Sequence, residues 1–391
     1  MQTKNTKLDY TLISIVLLLG IVSCFALYTV QPGLRPDLQD DQFYLKQIVW
    51  YIVGSMFIVV IMLFDYDRLR QIVWPLYAIG MIALLMLFFN FPGEPFIRTA
   101  NGATSWFSFP AIGTIQPSEF MKVILIITLA HVLVKHNDIH KKRTNKSDLL
   151  LLFKILILSV PPMLLIAVQP DLGGFLVFIA ITASIILISG IRWRILFGLL
   201  FGALFITGIL VAAYFLFPGP IQTFLEESIF KYVSGRFYGW LQPEKFVQTS
   251  GNQLYYALLA IGSGQLVGKG LMDMEVYVAE RQTDMIFTAI AEQFGFVGAS
   301  IVVTLLFLLI YRLIHVALQS NDVFGSYLVT GMIGMFSFQI FQNIGMSIQL
   351  LPITGLPLPF LSYGGSSTIT YLLAIGIVLN IHSRTKEYMF D

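Results

Sequence analysis

QLLPITGLPLPFLSYGGSS, Gln349 to Ser367, separates the last two apolar spans of this 391-residue chain, where a lipid-embedded helix would otherwise continue. Pro352, Pro357 and Pro359 have no backbone N–H to donate. Lipid offers no hydrogen-bond partner, so broken backbone at membrane depth persists only when buried in protein or lining a watery cavity. The stretch therefore points to a cavity, with Ser362 and Ser366 as candidate substrate-binding hydroxyls in it.

The rest of the chain has the composition of a polytopic membrane protein: 57% of residues are hydrophobic and 12% charged. Apolar runs predict an all-α fold of about ten transmembrane helices. They fall near 11–30, 47–64, 73–90, 118–134, 150–168, 172–190, 195–217, 286–314, 324–346 and 366–382, in one integral-membrane domain spanning 1–391 without internal repeat. Lys4 and Lys7 precede the first run as in a secretory signal, but its length and lack of a small-residue cleavage site predict a retained helix. Alternate segments carry Arg68, Arg70, Lys135, Lys141 to Arg143, Arg192, Arg194, Arg312 and Arg384. The opposite short loops hold only Arg35, Lys46 and Arg98. The positive-inside rule then places both termini in the cytoplasm and the long loop between helices 7 and 8, residues 218–284, outside. FLEESIFKYV and NQLYYALLAIG within it are amphipathic and predict segments lying on the membrane surface.

A net charge of +2 leaves no basic field for nucleic acid. Cys24 is the only cysteine, so no intrachain disulfide forms. In this topology all five histidines fall in or beside cytoplasmic segments, so an external site must use a carboxylate as its base and has no Cys or His nucleophile. The histidines around KHNDIHKK read as solvated surface, not a metal site. GSGQLVGKG resembles a phosphate loop, but Ser263 replaces its first Gly and Gly270 its Ser or Thr.

Together with NGATSWF, IQPSEFMK, QPDLGG, RFYGWLQP, AIGSGQLVGKGL, ERQTDMIFTAIAEQFGF and FQNIGMSIQLLP, the opening stretch resembles the SEDS family of shape, elongation, division and sporulation proteins, more the RodA branch than the FtsW branch. That resemblance implies a multi-pass protein of the bacterial plasma membrane that polymerises lipid II into peptidoglycan glycan strands. It further implies a class B penicillin-binding transpeptidase as partner, with lipid II and membrane lipids as ligands and surroundings. The implied chemistry is an inverting transfer with undecaprenyl diphosphate as leaving group. A lipid II flippase and a noncatalytic scaffold of the elongation machinery are the alternatives. The flippase reading would lead one to expect an internal repeat.

Asp284 in TDMIF matches the aspartate on which polymerisation depends in the family. From the residues alone, a half-desolvated base and a helix N-cap are equal readings. Glu280 and Arg281 read as solvated loop charges. Glu119 and Lys122, three residues apart, either pair on one helical face or present the lysine to a diphosphate. Asp171 either caps the sixth span or joins the cavity. Trp106 matches a sensitive family tryptophan or serves as an interfacial anchor. Arg236 and Trp240 suit diphosphate and a sugar face, or ordinary packing. No cofactor is certain; a divalent cation, Mg or Mn, could bridge the diphosphate to Asp171 or Glu119, though no spacing demands one. Ala279, Met285, Gln265 and Gln349 depart from the family pattern, the last two where glycine is usual.

Overall fold

Asp9, Thr144, Asp171 and Asp322 each stand one residue ahead of a helix and accept a hydrogen bond from an amide of its first turn, so short polar residues set where four of the helices begin. The computed structural model describes residues 8–100, 103–109, 113–216 and 231–385. Its main helices are α1 (Tyr10–Val30), α2 (Phe43–Leu63), α3 (Leu69–Phe88), α4 (Pro117–Ile139), α5 (Asn145–Val168), α6 (Leu172–Ile188) and α7 (Trp193–Leu216). They continue with α8 (Lys231–Leu241), α9 (Asn252–Ser263), α10 (Ile286–Gln319), α11 (Val323–Ser347) and α12 (Gly365–Arg384). Among the described residues nine helices are long and apolar enough to cross a membrane, and α6, at 17 residues, is a shorter apolar helix where the tenth span was expected. The chain is a multi-pass membrane protein, all-α as expected.

Several helices outrun their apolar windows because ion pairs hold their polar ends. Arg70 near the start of α3 binds Asp322 at 2.8 Å, and Arg312 near the end of α10 binds Asp9 at 2.7 Å. Arg384 reaches Asp65 at 2.9 Å. These pairs bring both described chain ends to one end of the helical body. At the same end His136 corrects the expectation of a solvated histidine loop. It is 1% exposed, 3.0 Å from Ser147 Oγ and stacked on His140, because α4 continues as helix through KHNDI and packs against α5.

The opposite end carries a feature that apolar periodicity does not predict, a three-stranded antiparallel sheet of β1 (Ile97–Ala100), β2 (Ala103–Phe109) and β3 (Gly113–Ile115). Phe107 pairs with both Ile97 and Ile115, and Trp106 with Arg98. Strands this short leave a much weaker pattern than a twenty-residue apolar run. Of the long loop, residues 218–230, with most of FLEESIFKYV, lie outside the described residues. NQLYYALLAIG forms α9.

The core runs through α4 and α12, which are enclosed along most of their length. α12 packs on α2, and α4 on α3 and α11. By contrast α7 exposes Phe201, Leu204 and Phe205, as a lipid-facing helix does.

Candidate active site

Between α11 and α12 the chain leaves helical geometry from Ile348 to Gly364 and is still largely buried. Side chains from four helices take over the work of the missing helical bonds. Gln342 and Asn343 of α11 donate to the carbonyls of Pro352 (2.9 Å) and Leu356 (2.7 Å), and Ser23 of α1 to that of Leu361 (2.8 Å). Tyr51 and Gln47 of α2 reach Phe360 and Ser362, and Arg236 of α8 reaches Ile353. Trp240 Nε1 donates to the Gln349 carbonyl at 2.9 Å, and Gln349 Nε2 returns a bond to the Trp240 carbonyl. The run is therefore held by protein, and the hollow lies at its rim. Gln349 borders a cavity of about 490 Å³ shared with Leu241, Lys245, Tyr255 and Leu258. Ser362 and Ser366 serve the scaffold: Ser362 Oγ accepts from Leu358 N–H at 2.8 Å and Ser366 Oγ from Gln116 N–H at 2.9 Å.

Asp284 sits where this run meets the end of the long loop. It does not cap α10, whose N-cap is Met285 without a side-chain bond. Its backbone carbonyl is fixed by Asn343 Nδ2 at 2.7 Å, while its carboxylate, in a residue only 8% exposed, has weak partners. Those are Gln253 Nε2 of α9 at 3.4 Å and Thr283 Oγ1 at 3.4 Å. Burial with so little hydrogen bonding, reinforced by the nearby Glu280 charge, pushes its pKa up to about 7, against the pull of its own amide, Gln253 and Arg236. A carboxylate so poised is half ready to take a proton near neutral pH.

The remaining candidates gather on the same side. Glu119 and Lys122 form a buried ion pair, Oε1 to Nζ 2.6 Å, while Glu119 Oε2 finds no partner among the described residues. Asp171 caps α6, accepting from Gly174 N–H at 2.7 Å, and also stands 3.4 Å from Gln116 Nε2. Burial raises its pKa, with Glu119 adding to the rise and Gly174, Lys122 and Arg236 opposing it. Arg236 thus acts on both Asp171 and Asp284, linking the two acids through α8. Trp106 is half-buried on β2, the strand beside α3 and α4. Among the described residues no three carboxylate, His or Cys side chains converge as a metal cage. Glu119 Oε1 is taken by Lys122 and Asp171 Oδ1 by Gly174 N–H, so among the described residues the protein's own side chains do not by themselves complete a Mg or Mn cage.

The expectation for Arg281 is overturned. It is 2% exposed and paired with Glu292 of α10, because α10 turns at Gly295 and brings the loop back across its own first turns. Glu292 Oε1 also accepts from Lys269 Nζ (2.9 Å) and from the amides of Glu275 (3.0 Å) and Val276 (3.2 Å). The lysine of the phosphate-loop look-alike is therefore a strut. A Cβ on Gly295, at φ +61°, would meet Gly268 N at 2.4 Å, so only glycine admits this crossing. Sequence reading missed Glu292, Gln253, Asn343 and Gln47. The available signal was a polar side chain inside an apolar span, which needs an internal partner.

Gln265 and Gln349, the two departures from a glycine pattern, both adopt positive φ, +48° and +64°. Left-handed backbone costs a side-chain-bearing residue about 1 kcal/mol. Gln265→Gly is expected to raise stability by about that amount, read as a higher thermal midpoint in detergent.

Fold and site together define a polytopic membrane protein built around a buried, hydrogen-bonded break in its helices with a poised carboxylate beside it. The chain belongs to the FtsW/RodA/SpoVE cell cycle protein family, whose model matches residues 7–387. It is 33% identical to the probable peptidoglycan glycosyltransferase FtsW of Lactococcus lactis subsp. lactis (strain IL1403), covering 98% of this chain and 94% of that one. It is 29% identical to the peptidoglycan glycosyltransferase RodA of Treponema pallidum (strain Nichols), covering 96% and 98%. Relatives from both branches match at comparable identity, so similarity places the chain in the family and not in a branch. Its fold matches the crystal structure of the Thermus thermophilus rod shape determining protein RodA (26% identity, TM-score 0.66, covering 97% of this chain and 98% of that one). It also matches a chain from a structure on coordination of polymerization and crosslinking by a peptidoglycan synthase complex (26%, TM-score 0.74, covering 96% and 97%).

Proposed function

We propose that this protein is a peptidoglycan glycosyltransferase that polymerises lipid II, with Asp284 as its general base. The buried, weakly bonded Asp284 carboxylate carries the reading: its environment at the broken-helix site suits proton acceptance at neutral pH. In the proposed step the C4 hydroxyl of one disaccharide attacks C1 of another, its proton passes to Asp284, and undecaprenyl diphosphate departs as the C1–O bond breaks. One displacement inverts the α-linked donor to a β-linked product, so no protein nucleophile is required. The distribution of basic loops supports an orientation with both termini cytoplasmic and the site outside. A class B penicillin-binding transpeptidase is the expected partner, since strands made here need crosslinking.

Lys122 is assigned to the leaving diphosphate, with Glu119 holding it in place. Truncating Glu119 alone would strand a buried ammonium and cost about 3–5 kcal/mol, whereas a matched apolar pair removes both charges at little cost. The double variant Glu119→Leu/Lys122→Met is accordingly expected to melt close to wild type yet polymerise labelled lipid II at least about 100-fold more slowly. Wild-type turnover in that double variant would assign the pair to scaffolding alone.

A further inference from the structure

Removal of the Asp284 proton is a problem that the burial of this residue creates. Each glycosidic bond formed leaves one proton on the base, and an acceptor sugar seated on a carboxylate only 8% exposed closes its direct path to water. The geometry points to a proton relay from Asp284 through the Thr283 hydroxyl to Glu280, which discharges into a small separate cavity. This rests on the reading of Asp284 as base.

Thr283 Oγ1 lies 3.1 Å from the Glu280 carbonyl, 3.2 Å from Glu280 Oε2 and 3.4 Å from Asp284 Oδ1, so one hydroxyl stands between two carboxylates. A hydroxyl can accept one proton and donate another at once. When Asp284 is protonated, its O–H donates to Thr283 Oγ1 as the threonine's own proton moves to Glu280 Oε2. The threonine ends neutral, Asp284 is again ionised, and Glu280 carries the proton. Bonds of this length tighten when a reacting complex forms.

Glu280 is placed for the last transfer. With Arg35, Leu38, Tyr277 and Gln282 it borders a cavity of about 70 Å³ between the segment after α1 and the loop. That is room for water, which needs roughly 15 Å³ and two or more polar partners. Glu280 adopts φ +54°, a conformation costly to a side-chain-bearing residue, and its carbonyl is held there by the amides of Thr283 (3.1 Å) and Met285 (3.2 Å). That turn is what folds the Glu280 carboxylate back over Thr283. Charged and polar groups facing the relay come from each neighbouring element: Arg236 from α8, Gln253 from α9, Asn343 from α11 on the Asp284 backbone, and Arg35 across the cavity.

The test is the pH dependence of kcat and KM for lipid II polymerisation by the purified full chain, with and without imidazole as an external proton carrier. Thr283→Val is expected to lower kcat about 10- to 100-fold with KM unchanged, and imidazole to restore part of the loss. Thr283→Ser should stay within about 2-fold of wild type, because the hydroxyl is kept. Glu280→Gln should likewise lower kcat and respond to imidazole, and its acid limb should shift to lower pH, since a like charge beside Asp284 is gone. Glu280→Gln also decides the matter if the valine variant does not fold. Wild-type kcat in either variant, or losses that neither serine nor imidazole repairs, would overturn the relay. Asp284→Asn run in parallel separates the two readings: an active Asp284→Asn defeats the base assignment itself, whereas an inactive Asp284→Asn beside fully active Thr283→Val defeats only the relay.

Discussion

Asp284→Asn is expected to abolish lipid II polymerisation and, at alkaline pH, to leave a more stable protein. The two effects have one cause. A positioned general base contributes about 100- to 10,000-fold to rate, and asparagine cannot take a proton, so turnover should fall into that range or below detection. In the wild type, activity should rise with pH as Asp284 ionises, with its half-point near pH 7. The sign for stability runs opposite. Because the folded pKa is raised, the fold favours the protonated acid, and stability declines as pH climbs from the ordinary carboxylate range through about 7. Asparagine removes the ionisation, so the variant should out-melt wild type by a few kcal/mol at pH 8 and by a clearly smaller margin at pH 5. Thermal unfolding in detergent at both pH values, beside a polymerisation assay, checks the pair. Retained activity, or equal stability at pH 8, would show that the carboxylate is not held in the state described.

Glu292→Ala is expected to be the most damaging single substitution outside the reacting groups. One carboxylate receives Lys269, Arg281 and the amides of Glu275 and Val276, all from the segment that ends in Asp284. Removing it leaves a buried guanidinium uncompensated, at a cost of about 3–5 kcal/mol, and two amides without their acceptor. The loop from Gln265 to Thr283 should become sensitive to limited proteolysis, and polymerisation should fall through loss of Asp284 placement even where the helices persist. A midpoint within about 1 kcal/mol of wild type and an unchanged digestion pattern would contradict this.

The break between α11 and α12, the apolar spans and the family were legible from residue types in order, and Asp284 was singled out as candidate base by the resemblance. Apolar length and proline placement are local properties, and lipid punishes any unpaired backbone so severely that few architectures remain. Other features were closed to such reading. That the Asp284 carboxylate is only weakly bonded and not a helix cap, that Arg281 is buried, and that Lys269 braces Glu292 depend on partners 11 to 59 residues away along the chain. So do the side chains from α1, α2, α8 and α11 that satisfy the carbonyls of the 349–364 run. Hydrogen bonds and burial between distant segments arise only once helices pack, and the same carboxylate is a cap, a strut or a base according to what that packing sets beside it.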